Sequence, residues 1–198
     1  AKAYQIDLAQ SPTSKELEEI LVEEYGYTIN TDELTKYREL DNLRSIFIPK
    51  TKTLLVADHI DEAQRTFIYA KEIGYNYLDI QERLYTFTWI KFNNFDQVLN
   101  NFYASYFAGA LVIPRLVIKK HVDAFLAKPK FDKTFLTGLK NYYNASPESL
   151  YQRLTNILPN DYQLENLFFL RLAHKKDTNR FDITKELHLT HHHSPHGN

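Results

Sequence analysis

The residues whose spacing best suits chemistry lie between Phe67 and Tyr75, in the run F-I-Y-A-K-E-I-G-Y. Lys71 and Tyr75 stand four apart, with Glu72 next to the first of them. On a helix, positions i and i+4 share one side. Two histidines so placed would grip one Zn²⁺, and the glutamate between them would polarise a metal-bound water for hydrolysis. Only the glutamate of that set is present. A protonated lysine repels a dication, and a tyrosine hydroxyl, with an unperturbed pKa of about 10, replaces imidazole poorly. The run therefore predicts a helix of the metal-holding kind without a metal, with no catalytic residue and no cofactor. Glu72 is then a vestige, a solvent-facing residue or a pocket acid.

The flanking residues make the comparison more specific. Arg65-Thr66-Phe67-Ile68-Tyr69-Ala70-Lys71-Glu72-Ile73-Gly74-Tyr75 resembles the R-x-x-x-x-A-H-E-(L/I)-G-H helix of the ImmA/IrrE family of metallo-endopeptidases. The run from Tyr103 to Pro114 (YASYFAGALVIP) resembles that family's E-A-N-x-F-A-x-x-L-L-x-P segment, with Tyr103 where the third zinc ligand would stand. The run from Tyr143 to Leu154 (YNASPESLYQRL) resembles its V-S-x-x-A-L-x-x-R-L helix. Three motifs in order, over roughly residues 14–158, point to the fold, while all three ligand positions have changed.

The resemblance implies an α+β, zincin-like domain over residues 1–160 that acts as a pseudo-peptidase. Residues 161–198 resemble the start of the C-terminal domain of one branch, the Xre-type short-chain fatty-acyl transcriptional regulators. That branch implies a cytoplasmic regulator with an N-terminal helix-turn-helix domain outside this chain, DNA contacted through that domain, and a homodimer. It also implies a small acyl-CoA-like effector in the former metal cavity. The ligand-binding residues expected on this reading are Lys71, Glu72, Tyr75, Tyr103, Tyr69 and Tyr106. The rival readings are a metalloendopeptidase with rearranged ligands from His59, His121 or Glu82, and a protein-interaction module.

Several clusters carry two readings each. Tyr69, Tyr75, Tyr77, Tyr85, Phe87, Trp89, Phe92, Tyr103 and Tyr106 form an aromatic core or line a tunnel for an acyl chain or an adenine. His188, His191, His192, His193 and His196 form a polar tail or a metal-binding tract. Lys119-Lys120-His121 and His174-Lys175-Lys176 are solvated faces or phosphate contacts.

Positioning these residues takes a set of elements that the pattern also supplies. Ser14–Tyr25 has Leu17, Ile20, Leu21 and Tyr25 at helical spacing, with Thr13 or Ser14 as cap and Gly26 as terminator. Leu43–Ile48 and Thr53–Ala57 read as a hairpin around Pro49–Lys52. Helices follow over Asp61–Leu78, Phe95–Ile113, Arg115–Ala127, Phe131–Tyr143 and Pro147–Leu158, the last capped by Ser146. Leu164–Ala173 and Arg180–Thr184 read as strands, after a shift of composition near residue 160.

The bulk composition fits such a domain. Hydrophobic residues make up 43% and charged residues 25% of 198 residues, an ordinary globular balance. A net charge of −1 gives no general attraction for nucleic acid. The absence of Cys excludes disulfides and cysteine-held metals from these residues. No apolar run approaches the roughly 18 residues of a membrane span, so no membrane partner is expected. The chain begins at Ala1 and holds no Met, and it reads as an internal fragment.

Overall fold

Thr13 and Asp61 each close a capping box, and these two caps set the starts of the helices that frame the first half of the protein. The computed structural model describes residues 10–85, 94–174 and 178–188, in two compact units, Ala1–Ala145 and Ser146–Asn198. It is an α+β protein, with six α-helices and two small sheets among the described residues.

In the first unit, α1 (Ser14–Glu23) buries Leu17 and Leu21, and Gly26 ends it at φ +69°, a conformation that favours a residue without a Cβ. The hairpin is present as β2 (Ser45–Ile48) and β3 (Thr53–Val56), antiparallel with Phe47 opposite Leu54. A further strand, β1 (Thr28–Asn30), pairs parallel with β3, so β3 is central. Three residues are too few for alternation to register in sequence, and the parallel pairing supplies what the pattern lacks.

Helix α2 (Glu62–Tyr77) carries the motif, and α3 (Phe95–Val112) packs along it. The first turns of α1 and α2 are tied together: Glu62 accepts hydrogen bonds from the Ser14 backbone N–H at 3.0 Å and from its hydroxyl at 2.9 Å. Helices α4 (Arg115–Leu126) and α5 (Lys133–Tyr142) complete the unit. Asp132 caps α5, which shortens it relative to the expected Phe131 start.

In the second unit, α6 (Pro147–Tyr162) runs past the expected end at Leu158 and through Pro159. A proline in the last turn removes one donor without stopping the chain, and Gln163 at φ +56° closes the helix. Strands β4 (Phe168–His174) and β5 (Phe181–His188) form an antiparallel pair with a register shift at Arg171/Leu172. Phe87, Trp89, Phe92, Lys175, Lys176, His191, His192, His193, His196 and the side chain of His188 lie outside the described residues. No single helix among the described residues is long and apolar enough to cross a membrane.

Candidate functional site

Every residue of α2 from Ile68 to Tyr75 is buried, the polar ones included. The helix is enclosed because α1 and α3 both pack against it. Gly74 sets the approach of α3. A Cβ built there would lie 3.0 Å from Phe107 Cδ1 and 3.2 Å from the Ala104 carbonyl oxygen, so only glycine lets the two backbones come this close.

That close approach fixes which α3 residue meets which turn of α2. Lys71 Nζ donates to Asn101 Oδ1 at 2.6 Å, and the Tyr75 hydroxyl points at the same oxygen at 3.4 Å. Lys71 and Tyr75 thus share one α3 partner, and that partner is Asn101, not the expected Tyr103. Tyr103 is 48% exposed and Tyr106 45% exposed, on the other side of the buried Ala104–Ala108 stripe. The physical reason is helical phase: 101, 104, 108 and 111 share a face, which 103 and 106 do not.

Glu72 faces a different set. Its Oε2 accepts from Arg83 Nη2 at 2.6 Å and from the Tyr27 hydroxyl at 3.0 Å. Tyr27 in turn accepts from Asn76 Nδ2 at 2.8 Å and from Arg83 Nη1 at 3.4 Å. The Arg83 guanidinium carbon lies 3.8 Å from the Phe47 ring centroid and 4.7 Å from that of Tyr75. Tyr27 stacks on Phe47 at 5.0 Å. None of Arg83, Asn101, Asn76 and Tyr27 is among the site residues expected from the motif. The one available signal was a buried acid at position 72 that needed a cation, with no indication of which arginine supplies it.

The electrostatics follow from enclosure. Burial pushes the Glu72 carboxyl above the ordinary range, against the opposing pull of the Arg83 charge, the hydrogen bonds from Tyr27 and Arg83, and the Lys71 charge. Burial also works against the Arg83 charge, but the Glu72 and Tyr27 groups more than offset it and raise its pKa. The two partners thus respond differently. Arginine remains a cation, and Glu72 carries the cost of the enclosure. The Tyr27 hydroxyl is pushed up to about 12, mainly by burial and next by Glu72. Burial raises Tyr75 as well. Tyr69 is fully buried, its hydroxyl raised to about 12 by burial and by the Glu18 charge.

Three of the six expected residues, Lys71, Glu72 and Tyr75, therefore come together, joined by Tyr27, Asn76, Arg83 and Asn101. Tyr69 is buried on the same helix but outside these hydrogen bonds. Tyr103 and Tyr106 lie elsewhere, in an open groove of about 910 Å³ whose lining includes Asp79, Ile80, Glu82, Asp96 and Phe107. Among the described residues no three His, Asp or Glu gather as a metal-holding group. His59 is exposed beside Asp58, and His121 meets the Tyr143 hydroxyl at 2.9 Å.

No family model matches the chain, and no curated protein matches it. Among solved structures, it is similar to a Mycobacterium tuberculosis transcriptional regulator, at a TM-score of 0.65 and 18% identity. The match covers 96% of this chain and 53% of that one, so the chain spans about half the length of the structure it matches. At this identity the likeness is one of fold.

Proposed function

We propose that this chain is the effector-sensing part of a transcriptional regulator, on a peptidase-type scaffold that no longer hydrolyses. The observation that carries the reading is the Lys71–Asn101–Tyr75 contact. The positions where two histidines would hold zinc carry an ammonium and a phenol, and both turn to the Asn101 amide oxygen of α3. Glu72, the residue that would polarise the water, is held by Arg83 and Tyr27 instead. The fold likeness to a transcriptional regulator over nearly the whole chain supports the regulatory half of the reading. DNA contact is assigned to a helix-turn-helix segment outside these residues, and the signal to a change in homodimer geometry.

The effector site is the groove between the end of α2 and α3, because the former metal position is closed by its own side chains. Tyr103, Tyr106 and Phe107 give it an apolar wall suited to an acyl or aromatic body. An acyl-CoA is the ligand implied by the family resemblance, and the wall suits its acyl part. The described lining offers Asp79, Glu82 and Asp96 to its phosphates and no basic residue, so this finer assignment leans on resemblance.

Metal analysis and thermal-shift assays test the reading. The purified chain should hold no stoichiometric zinc and should be stabilised by a small metabolite. Zinc lost on chelation or in Glu72→Gln, together with a proteolytic activity lost in the same way, would overturn it. No stabilisation by acyl-CoAs of graded length well above micromolar would remove the thioester and leave sensing to another ligand.

One observation favours a second reading, an interaction module. Phe168, Leu172, Phe181 and Ile183 share one face of the β4–β5 pair and are 58–68% exposed. A two-stranded sheet with such a face is marginal alone. Light scattering of the chain and of Leu172→Glu/Ile183→Lys would separate self-association through this face from a monomer.

A further inference from the structure

The geometry points to a small organic cation with an apolar body, an aromatic or alkyl amine, as the ligand of the groove beside α3. This rests on the sensing function proposed above and adds to it the charge of the ligand. The groove is walled on one side by the turn Leu78–Glu82 and on the other by Asp96, Asn100, Tyr103, Tyr106, Phe107 and Ala110 of α3. Its volume of about 910 Å³ falls within the range of small-molecule sites.

Two independent features of the lining select a cation. The first is charge: the described lining holds three carboxylates and no Lys, Arg or His. None of the three is neutralised by a basic side chain among the described residues. Asp79 accepts from the amide of Gln81 at 2.7 Å and Glu82 from that of Asn94 at 3.3 Å, while Asp96 sits in the first turn of α3. Neutral amide donors leave the carboxylate charge in place, so the described lining carries a net negative charge.

The second feature is the aromatic wall. Tyr103, Tyr106 and Phe107 line the groove, and the first two are about half exposed. Aromatic faces attract ammonium groups and also pack an apolar body. A polyanion is repelled by the first feature, whatever its apolar part gains from the second. A neutral ligand gains only from the second.

The test uses three probes with nearly the same body and different charge: 2-phenylethylamine, 2-phenylethanol and 3-phenylpropanoate. Calorimetric titration into the whole chain should give affinity in that order, with the amine about tenfold tighter than the alcohol. The preference should shrink at high salt. In Glu82→Gln/Asp96→Asn the amine should fall to the level of the alcohol while alcohol binding is unchanged. Tyr106→Ser should weaken the alcohol and the amine alike. Equal binding of amine and alcohol would overturn the charge assignment and leave the sensing function standing. Tighter binding of the carboxylate or of CoA would overturn it as well. A Lys-rich peptide that outcompetes the amine would assign the groove to a protein partner, again against the proposal. No binding by any probe would remove the groove as a ligand site, whereas the sensing function would fall only with the metal and thermal-shift tests above.

Discussion

Arg83 and Glu72 meet at 2.6 Å with their side chains 6% and 9% exposed, although they stand eleven positions apart and only Glu72 lies on a helix. An ion pair this enclosed costs much to desolvate, and removing one partner leaves the other uncompensated. Arg83→Ala should destabilise the chain by about 3 kcal/mol or more. Glu72→Leu/Arg83→Met should cost clearly less than the sum of the two single changes. Urea denaturation of the four proteins checks this, and simple additivity would mean that the pair is not coupled.

Glu72 also predicts a pH dependence. Burial raises its pKa above the ordinary carboxylate range. A carboxyl whose pKa is higher folded than unfolded favours the folded state fully below the unfolded value of about 4.3, and loses that contribution as pH rises through the folded value. The stability of the wild type relative to Glu72→Gln should therefore fall as pH climbs from about 4 toward neutrality. A difference that grows with pH would show the Arg83 attraction outweighing desolvation.

Gly74 reverses the usual helix rule. Alanine normally gains up to about 1 kcal/mol over glycine inside a helix. At Gly74 the added carbon would press on Phe107 and on the Ala104 carbonyl, and a backbone atom yields less than a side chain. Gly74→Ala should cost about 1–3 kcal/mol. Gly109→Ala and Gly138→Ala, where a Cβ meets nothing within 4 Å, should be neutral or stabilising. Midpoints of chemical unfolding for the three variants decide the matter.

Tyr27 joins the sheet side of the unit to α2 through one hydroxyl, which donates to Glu72 and accepts from Asn76 and Arg83. Tyr27→Phe keeps the Phe47 stack and deletes only that oxygen. It should cost roughly 1–3 kcal/mol, more than a surface Tyr→Phe such as Tyr37→Phe. Equal effects at the two positions would mean that the hydroxyl is not part of the network.

The elements that sequence displays best are those with local causes. The caps at Thr13, Asp61 and Ser146, the stop at Gly26 and the β2–β3 turn depend on residues a few positions apart, and they stand where their patterns place them. The motif face was legible for the same reason, since Lys71 and Tyr75 are one turn apart on one helix. What was not legible required knowing how separate segments meet. Asn101 replaces Tyr103 as the α3 partner because Gly74 fixes the phase of α3, a contact between helices that no local pattern encodes. Arg83 lies in an irregular segment, where no periodicity marks a side chain as buried.

Residues 78–85 of that irregular segment are anchored at both ends. The Leu78 N–H bonds to the Gly74 carbonyl, the Ile80 N–H to the Tyr75 carbonyl, and the Tyr85 carbonyl accepts from the Phe47 N–H at 2.7 Å. Between these anchors Arg83 is clamped inward. Such a segment has little conformational freedom left to lose, so on the proposed sensing function a ligand of the groove would meet a wall already ordered. The entropy of ordering that wall is spent when the chain folds, not when the ligand arrives, and even a small ligand can keep most of its contact energy as affinity.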